Sequence, residues 1–331
     1  MPRTSSDQGL SKLIQRYPEV QLATLVDKPP EGDQWVHETK YDGYRLLGFV
    51  CGGAAALRTR NGKDWTGSFP SLSAALATLK VKDAVLDMEA VVSDSEGKTS
   101  FQKLQGALGG GGNAENIGAY VFDLLYLDGK DLTRLPLISR KEHLRRLLKS
   151  TPATSLRYSE HSAGGANELL ARACDRGLEG IVSKQADAPY QTGRQKSWLK
   201  SKCARRQEFI ILGYSDARTG ERALGALYLG YMKGGRLRYA GKVGTGFTMK
   251  SARDLKERFT ALAVQKPLMT RADTGAVPAR EFNAIHWIRP VLLCELTFTE
   301  WTDDGRIRHP SFQGLREDKN AQDVRREEPD Q

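Results

Sequence analysis

The sequence predicts an α+β chain, with antiparallel strands and intervening helices to residue 204 and a small Greek-key β-barrel from 205 to 331. Three observations predict it. Short apolar runs with strand-like alternation recur between Gly- and Pro-bearing turns. Helical spacings of three and four residues fall between those runs. After Arg205-Arg206 the pattern changes to consecutive strands with one helix among them.

The elements follow in order. Leu10, Leu13, Ile14 and Tyr17 have helical spacing, and Lys28-Pro29-Pro30-Glu31-Gly32 then interrupts the chain. Residues 35–38, 44–51 and 54–59 read as strands parted by Gly43 and Gly52-Gly53. Phe69, Leu72, Leu76 and Leu79 mark a helix, 84–92 a strand, 101–108 a short helix, and 119–127 a strand closed by Asp128-Gly129. Helices are expected over 139–149 and 165–176, the second ending near Gly177, then strands over 180–184 and 198–202. Beyond 205, strands at 208–214, 223–232 and 236–243 precede a helix at 251–262 and a strand at 291–298, with Lys233-Gly234-Gly235 as a hairpin turn. That series suits an OB-fold barrel. Residues 325–331 are expected to fray.

A chain of 331 residues fits two domains, here 1–204 and 205–331. With 39% hydrophobic and 27% charged residues it has material for a core and no disordered profile. No run reaches the ~18 apolar residues of a membrane span, and the start lacks a secretory stretch, so a cytoplasmic, nucleoid-associated protein is expected. Cys51, Cys174, Cys203 and Cys294 stand far apart without a CxxC pair, which disfavours disulfides and a Cys-based zinc site. The net charge is +10, and the two halves share the excess equally. A basic body suits a polyanionic partner, although many soluble proteins are as basic without binding nucleic acid.

The densest polar segment is Glu38-Thr39-Lys40-Tyr41-Asp42-Gly43-Tyr44-Arg45. In an extended chain, alternation places Glu38, Lys40 and Asp42 on one face. This is either a surface ion-pair ladder or a site, and Gly43 favours close approach of a ligand or backbone. Compatible pieces recur downstream: Thr59-Arg60-Asn61-Gly62, Leu86-Asp87-Met88-Glu89, Phe122-Asp123, Glu179-Gly180-Ile181-Val182-Ser183-Lys184 and Trp198-Leu199-Lys200-Ser201-Lys202. Each alone reads as a solvated face. Five charged sets at the edges of apolar strands would be costly unless they converge on a polar ligand.

This ordered series resembles the covalent nucleotidyltransferases, a family of ATP-dependent DNA ligases, RNA ligases and mRNA capping enzymes. Lys40-Tyr41-Asp42-Gly43-Tyr44-Arg45 matches the family's K-x-D-G-x-R motif, and the segments at 179–184 and 198–202 look like the ligase forms of its fourth and fifth motifs. Arg316-Glu317-Asp318-Lys319 matches the R-x-D-K element that closes the OB domain. The preceding His309-Pro310-Ser311-Phe312-Gln313-Gly314-Leu315 is similar to the ligase domain of bacterial DNA ligase D, of non-homologous end joining. The likeness spans residues 20 to 320. One departure is visible: Met88 stands where the third motif usually has glycine, which puts the local backbone shape in question.

The resemblance implies a nucleotidyltransferase (adenylation) domain followed by an OB-fold, and a covalent lysine–AMP intermediate on Lys40. AMP would pass to the 5′-phosphate of a nick, and the 3′-hydroxyl would displace it. Lys200 and Lys202 would neutralise the α-phosphate and favour the neutral amine of Lys40. Asp42 would orient the reacting group, and Phe122 would stack on adenine. Glu38, Arg45, Arg60 and Lys184 would line the nucleotide site. Glu89 and Glu179 would hold ribose hydroxyls and Mg²⁺ or Mn²⁺. Arg316, Asp318 and Lys319 would reach the pyrophosphate if the second domain closes, hinging around 203–207. The expected partner is nicked or broken double-stranded DNA, with a Ku-like end-binding protein left open, and the expected state is a monomer.

Other features were set aside. Gly109-Gly110-Gly111-Gly112 lacks the Lys-Ser/Thr of a P-loop and reads as a loop. The five histidines show no metal-ligand spacing. Arg140-Lys141 with Arg145-Arg146 reads as a solvated helix face, with a DNA contact left open. With about 20 leading residues, no polymerase or phosphoesterase module is expected, and an NAD-dependent ligase would be expected to carry extra N-terminal sequence and a four-cysteine zinc module. The alternatives are an RNA ligase, a capping-type nucleotidyltransferase, or a nucleic-acid-binding protein with a dead site.

Overall fold

A computed structural model describes residues 5–94, 98–108, 117–151, 155–217, 223–275 and 277–327; the glycines at 109–112 lie outside them. The described chain forms two compact units, one ending at Cys203 and the other Ala204–Glu327. The first contains α1 (Ser5–Arg16), β1 (Gln21–Leu25), β2 (Trp35–Thr39), β3 (Tyr44–Cys51), β4 (Ala54–Thr59), α2 (Pro70–Ala77), β5 (Asp83–Val92), α3 (Phe101–Leu108), β6 (Ile117–Leu127), β7 (Lys130–Asp131), α4 (Leu137–Lys149), β8 (Leu156–Tyr158), β9 (His161–Ala163), α5 (Ala166–Asp175), β10 (Gly180–Gln185) and β11 (Gly193–Lys202). Two sheets result, ordered β1-β11-β10-β2-β9 and β4-β3-β5-β6-β7.

Sidedness in the second sheet decides where the site lies. Alternation sends Tyr44, Leu46 and Val50 of β3 into a core with Leu72 and Leu76 of α2, Phe101 and Leu104 of α3, and Leu144 of α4. Leu47 and Phe49 point to the other face, where they pack with Val85, Trp198, and Leu10 and Leu13 of α1. Farther along that same face the residues turn polar, at Arg45 on β3 and Asp87 and Glu89 on β5. An apolar end thus anchors a polar end. Met88 is fully buried on the opposite face, over Gly48, where an added Cβ would lie 2.6 Å from Met88 Cε. The motif departure is absorbed by the core, and β5 remains a strand.

The second unit holds β12 (Arg205–Ser215), β13 (Ala226–Lys233), β14 (Arg236–Val243), α6 (Met249–Thr260), α7 (Ala279–Asn283), β15 (His286–Trp287), β16 (Leu293–Phe298), β17 (Glu300–Trp301), β18 (Ile307–Arg308) and β19 (Ser311–Arg316). Its main sheet is ordered β14-β13-β12-β16-β19. The β13–β14 turn is Gly234-Gly235 with both φ positive, which suits a two-residue hairpin. Ladder pairing does not close this OB-fold into a full barrel; a backbone hydrogen bond from Phe312 N–H to Thr245 O, 3.0 Å, reaches across the gap. The expected fraying at 325–327 does not occur. Gln207, 3% exposed, donates to Arg325 O at 2.8 Å and accepts from Glu327 N–H at 2.9 Å. Among the described residues no helix is long and apolar enough to cross a membrane.

Candidate active site

Strand register builds the site row by row. On neighbouring strands β2, β10 and β11, Val36, Lys184 and Trp198 lie opposite one another, as do Glu38, Val182 and Lys200. One step farther, Lys40 N–H donates to Gly180 O at 2.9 Å, and Gly180 pairs with Lys202. Alternation therefore projects Lys40, Lys200 and Lys202 from one face of the sheet. Gly180 is needed there: its φ is +145°, and a Cβ would lie 2.1 Å from Ser201 O and 2.9 Å from Lys202 Cα. Glu179, just before it, accepts from Lys40 Nζ at 2.7 Å.

The two sheets meet at an aromatic corner. The Phe122 and Trp198 rings stand edge to face with centroids 6.0 Å apart. Lys184 Nζ lies 4.5 Å from the first centroid and 4.3 Å from the second, and the Arg45 guanidinium is 5.3 and 5.6 Å from the same rings. Arg45 grips buried Asp87 through both carboxylate oxygens, at 2.9 and 2.6 Å, while the Tyr190 hydroxyl donates to Asp87 at 2.7 Å. Burial works against the Arg45 cation, yet Asp87 outweighs it and leaves the pKa raised. Glu89 pairs with Arg45 across β3–β5, and Arg60 lies one step past the last β3–β4 pair, opposite Arg45.

Asp42 sits at the start of α3. Its carboxylate accepts from Phe101 N–H at 3.2 Å, and its own N–H donates to Thr99 Oγ1 at 3.0 Å. Glu38 is 2% exposed, and protein donors already address both of its oxygens. Lys141 donates to one at 2.7 Å; the Ser159 hydroxyl and Lys184 donate to the other at 2.8 and 3.0 Å. Burial opposes its charge, but Lys141 and Lys184 prevail and lower its pKa. Burial also pulls the Lys184 pKa down to about 8 against the attraction of Glu38.

Within the second unit, Arg316 grips Asp318 with two donors at 2.9 and 2.8 Å and gives a third to Glu295 at 3.0 Å. Lys319 pairs with Glu208, and Arg206 donates to Glu295 at 2.7 Å.

Two sequence expectations are overturned here. Of that cluster, Arg145 and Arg146 are exposed as expected, but Arg140 and Lys141 are not on a solvated face; they are 0% and 1% exposed. The buried positions of α4 are Leu137, Arg140, Lys141, Leu144 and Leu147, so both cations occupy the helix's inward stripe, and that spacing was the available signal. Cys174 and Cys203 form a disulfide, against the expectation from their separation. The end of α5 and the end of β11 are brought to 5.2 Å between Cα atoms, close enough to bridge.

Among the described residues no group of three or more His, Cys, Asp and Glu side chains is gathered as a metal cage. Glu89 and Glu179 offer hard carboxylate oxygens, which suit a cation completed by the phosphates of a bound nucleotide.

A family model described as ATP dependent DNA ligase domain matches residues 12–202, and one described as ATP dependent DNA ligase C terminal region matches residues 220–319. The multifunctional non-homologous end joining protein LigD of Pseudomonas aeruginosa is 43% identical over 312 residues, 93% of this chain and 36% of that protein. The multifunctional non-homologous end joining DNA repair protein LigD of Mycobacterium tuberculosis is 38% identical over 302 residues, 90% of this chain and 38% of that protein. The chain thus spans little more than a third of these relatives' length. A solved structure, mycobacterial DNA ligase D complexed with ATP and MES, is 36% identical with a TM-score of 0.68, covering 93% of this chain and 98% of that one.

Proposed function

We propose, for a chain that belongs to the ATP-dependent DNA ligase family, a strand-sealing reaction that begins on Lys40. A bare 5′-phosphate is a poor electrophile, so it must first acquire a good leaving group. Lys40 Nζ attacks the α-phosphorus of ATP, forming a P–N bond as the bond to pyrophosphate breaks. The 5′-phosphate of the DNA then displaces the lysine and takes the AMP. Finally the 3′-hydroxyl attacks that phosphate and AMP departs.

The observation that carries this reading is the row Lys40–Gly180–Lys202, with Glu179 in contact with Lys40 Nζ. Lys200 and Lys202, on the same face as Lys40, offset charge building on the phosphate during attack. Phe122, backed by the buried Trp198 ring, presents aromatic surface for the adenine, and base–aromatic stacking is worth about 1–3 kcal/mol. Lys184 and Arg45 edge that surface, and Glu38 acts through Lys184. Asp42, anchored on α3, orients the phosphate during transfer, and Arg60 meets the ribose–phosphate. Glu89 and Glu179 would hold Mg²⁺ or Mn²⁺ and the ribose hydroxyls; the ion supplies positive charge against the phosphates. Residues 1–204 are read as the adenylation domain and 205–331 as the OB domain, from which Arg316, Asp318 and Lys319 act on pyrophosphate release.

The relatives named for non-homologous end joining support broken as well as nicked duplexes as substrates; a cytoplasmic, monomeric enzyme is part of the same proposal, with a Ku-like end-binding partner left open. The test is labelled ATP. Mass spectrometry should locate one adenylyl group on Lys40, and Lys40→Arg should lose both the adduct and nick sealing from ATP. Labelling by GTP instead would favour a capping-type enzyme, and no label with either nucleotide would leave only a nucleic-acid-binding protein.

A further inference from the structure

Two consecutive cations, Arg140 and Lys141, are buried near the start of α4, where its first turn passes into the second. The location is unfavourable on three grounds: buried charge is desolvated, neighbouring like charges repel, and a helix N-terminus carries positive potential. Apolar side chains of similar volume often stabilise such positions as well as ion pairs do. What the charges provide is fixed register, and their partners lie on different sheets.

Arg140 holds Asp123, beside Phe122 on β6, through two hydrogen bonds of 2.8 Å each. The same guanidinium donates to Leu135 O at 2.6 Å and to Ala188 O at 3.1 Å, the latter in the segment leading to β11. Lys141 donates to Glu38, two residues ahead of Lys40, at 2.7 Å, and to Ser159 O at 3.0 Å, with its Nζ 4.7 Å from the Tyr158 ring centre. One rigid helical turn therefore grips the strand that carries the nucleophile and the strand that carries the stacking ring. Resting on the proposed function above, we propose that Lys141, supported by Arg140, is a positioning residue for self-adenylation: through Glu38 and Asp123 it fixes where Lys40 stands relative to the bound base.

A geometric role and a merely stabilising one differ in what they change. If Lys141 only stabilises the fold, Lys141→Met lowers the fraction of enzyme that reacts and leaves the rate constant of reacting molecules alone. If it positions, the rate constant itself falls, because small displacements in an attack geometry are expensive. The final sealing step should be spared, since its nucleophile is a 3′-hydroxyl held by the DNA.

The experiment is single-turnover adenylation with labelled ATP beside sealing of a pre-adenylated nick, on the full chain. Lys141→Met should slow the adenylation rate constant by about tenfold or more, with sealing within about threefold of the parent and Lys141→Arg recovering part of the loss. If Lys141→Met does not fold, Lys141→Gln, which keeps a donor toward Glu38, is read in the same way. A parent-like rate constant with only reduced amplitude, or equal losses in both steps, overturns the proposal. Absence of any adduct on the parent Lys40 overturns the underlying function instead.

Discussion

Gly180→Ala tests the central row of the site. The new Cβ would lie 2.1 Å from Ser201 O, whereas contacts below 3.0 Å are essentially never seen, so β10 and β11 must part by about 1 Å. The φ of +145° adds about 1–3 kcal/mol of backbone strain for a residue with a Cβ. Ser201 stands between Lys200 and Lys202, so the separation carries both lysines away from Lys40. A displacement of that size in an attack geometry costs about a hundredfold in rate. Urea unfolding should show a lower midpoint at unchanged slope, and single-turnover adenylation should slow by about 10²-fold. Gly53→Ala serves as the control. Gly53 also has positive φ, at +78°, but an added Cβ meets nothing within 4 Å, so it should lose only about 1 kcal/mol and no adenylation rate. A Gly180→Ala enzyme with the parent's stability and rate would refute the close approach of the two strands.

Further outcomes follow from buried groups. Arg140→Met removes the guanidinium that grips Asp123 at 0% exposure, which should reduce unfolding free energy by about 3–5 kcal/mol in urea titration. His37 is 1% exposed with a pKa lowered by burial, so the folded state stays neutral while the unfolded chain binds a proton below about 6.5. Stability should therefore fall as pH drops through 6.5, and His37→Asn should flatten that slope. Cys174→Ser should remove the bond across a separation of 29 residues and, measured without reductant, lower stability by about 3–4 kcal/mol.

Legibility in the sequence depended on how local the signal was. The edges of β3, β4, β14 and α3 follow from apolar runs bounded by glycine or turn residues. β1 was missed because Gln21–Leu25 is a short mixed run that becomes a strand by pairing in parallel with β11. Asp87 and Trp198 stood inside the motif segments, but the first became the anchor of Arg45 only through the β3–β5 register, and the second became the partner ring of Phe122 only where two sheets meet. Tyr190 and Ser159 carried no signal at all. Each is an ordinary residue whose hydroxyl matters only because a buried carboxylate lies beside it.

The amino-acid order alone determined the inventory: which strands carry lysine and carboxylate at period two, and where glycine must stand; the adenylating chemistry is what the family resemblance adds to it. Tertiary structure alone decided which charges leave water. Lys141 and Glu38 are 103 residues apart in the chain yet share a hydrogen bond, and Cys174 meets Cys203. Periodicity is fixed by neighbours within a turn or a strand, and composition cannot say whether an inward-facing cation will find its anion. That answer comes from helix-on-sheet packing and strand register, which bring distant segments together only once the chain has folded.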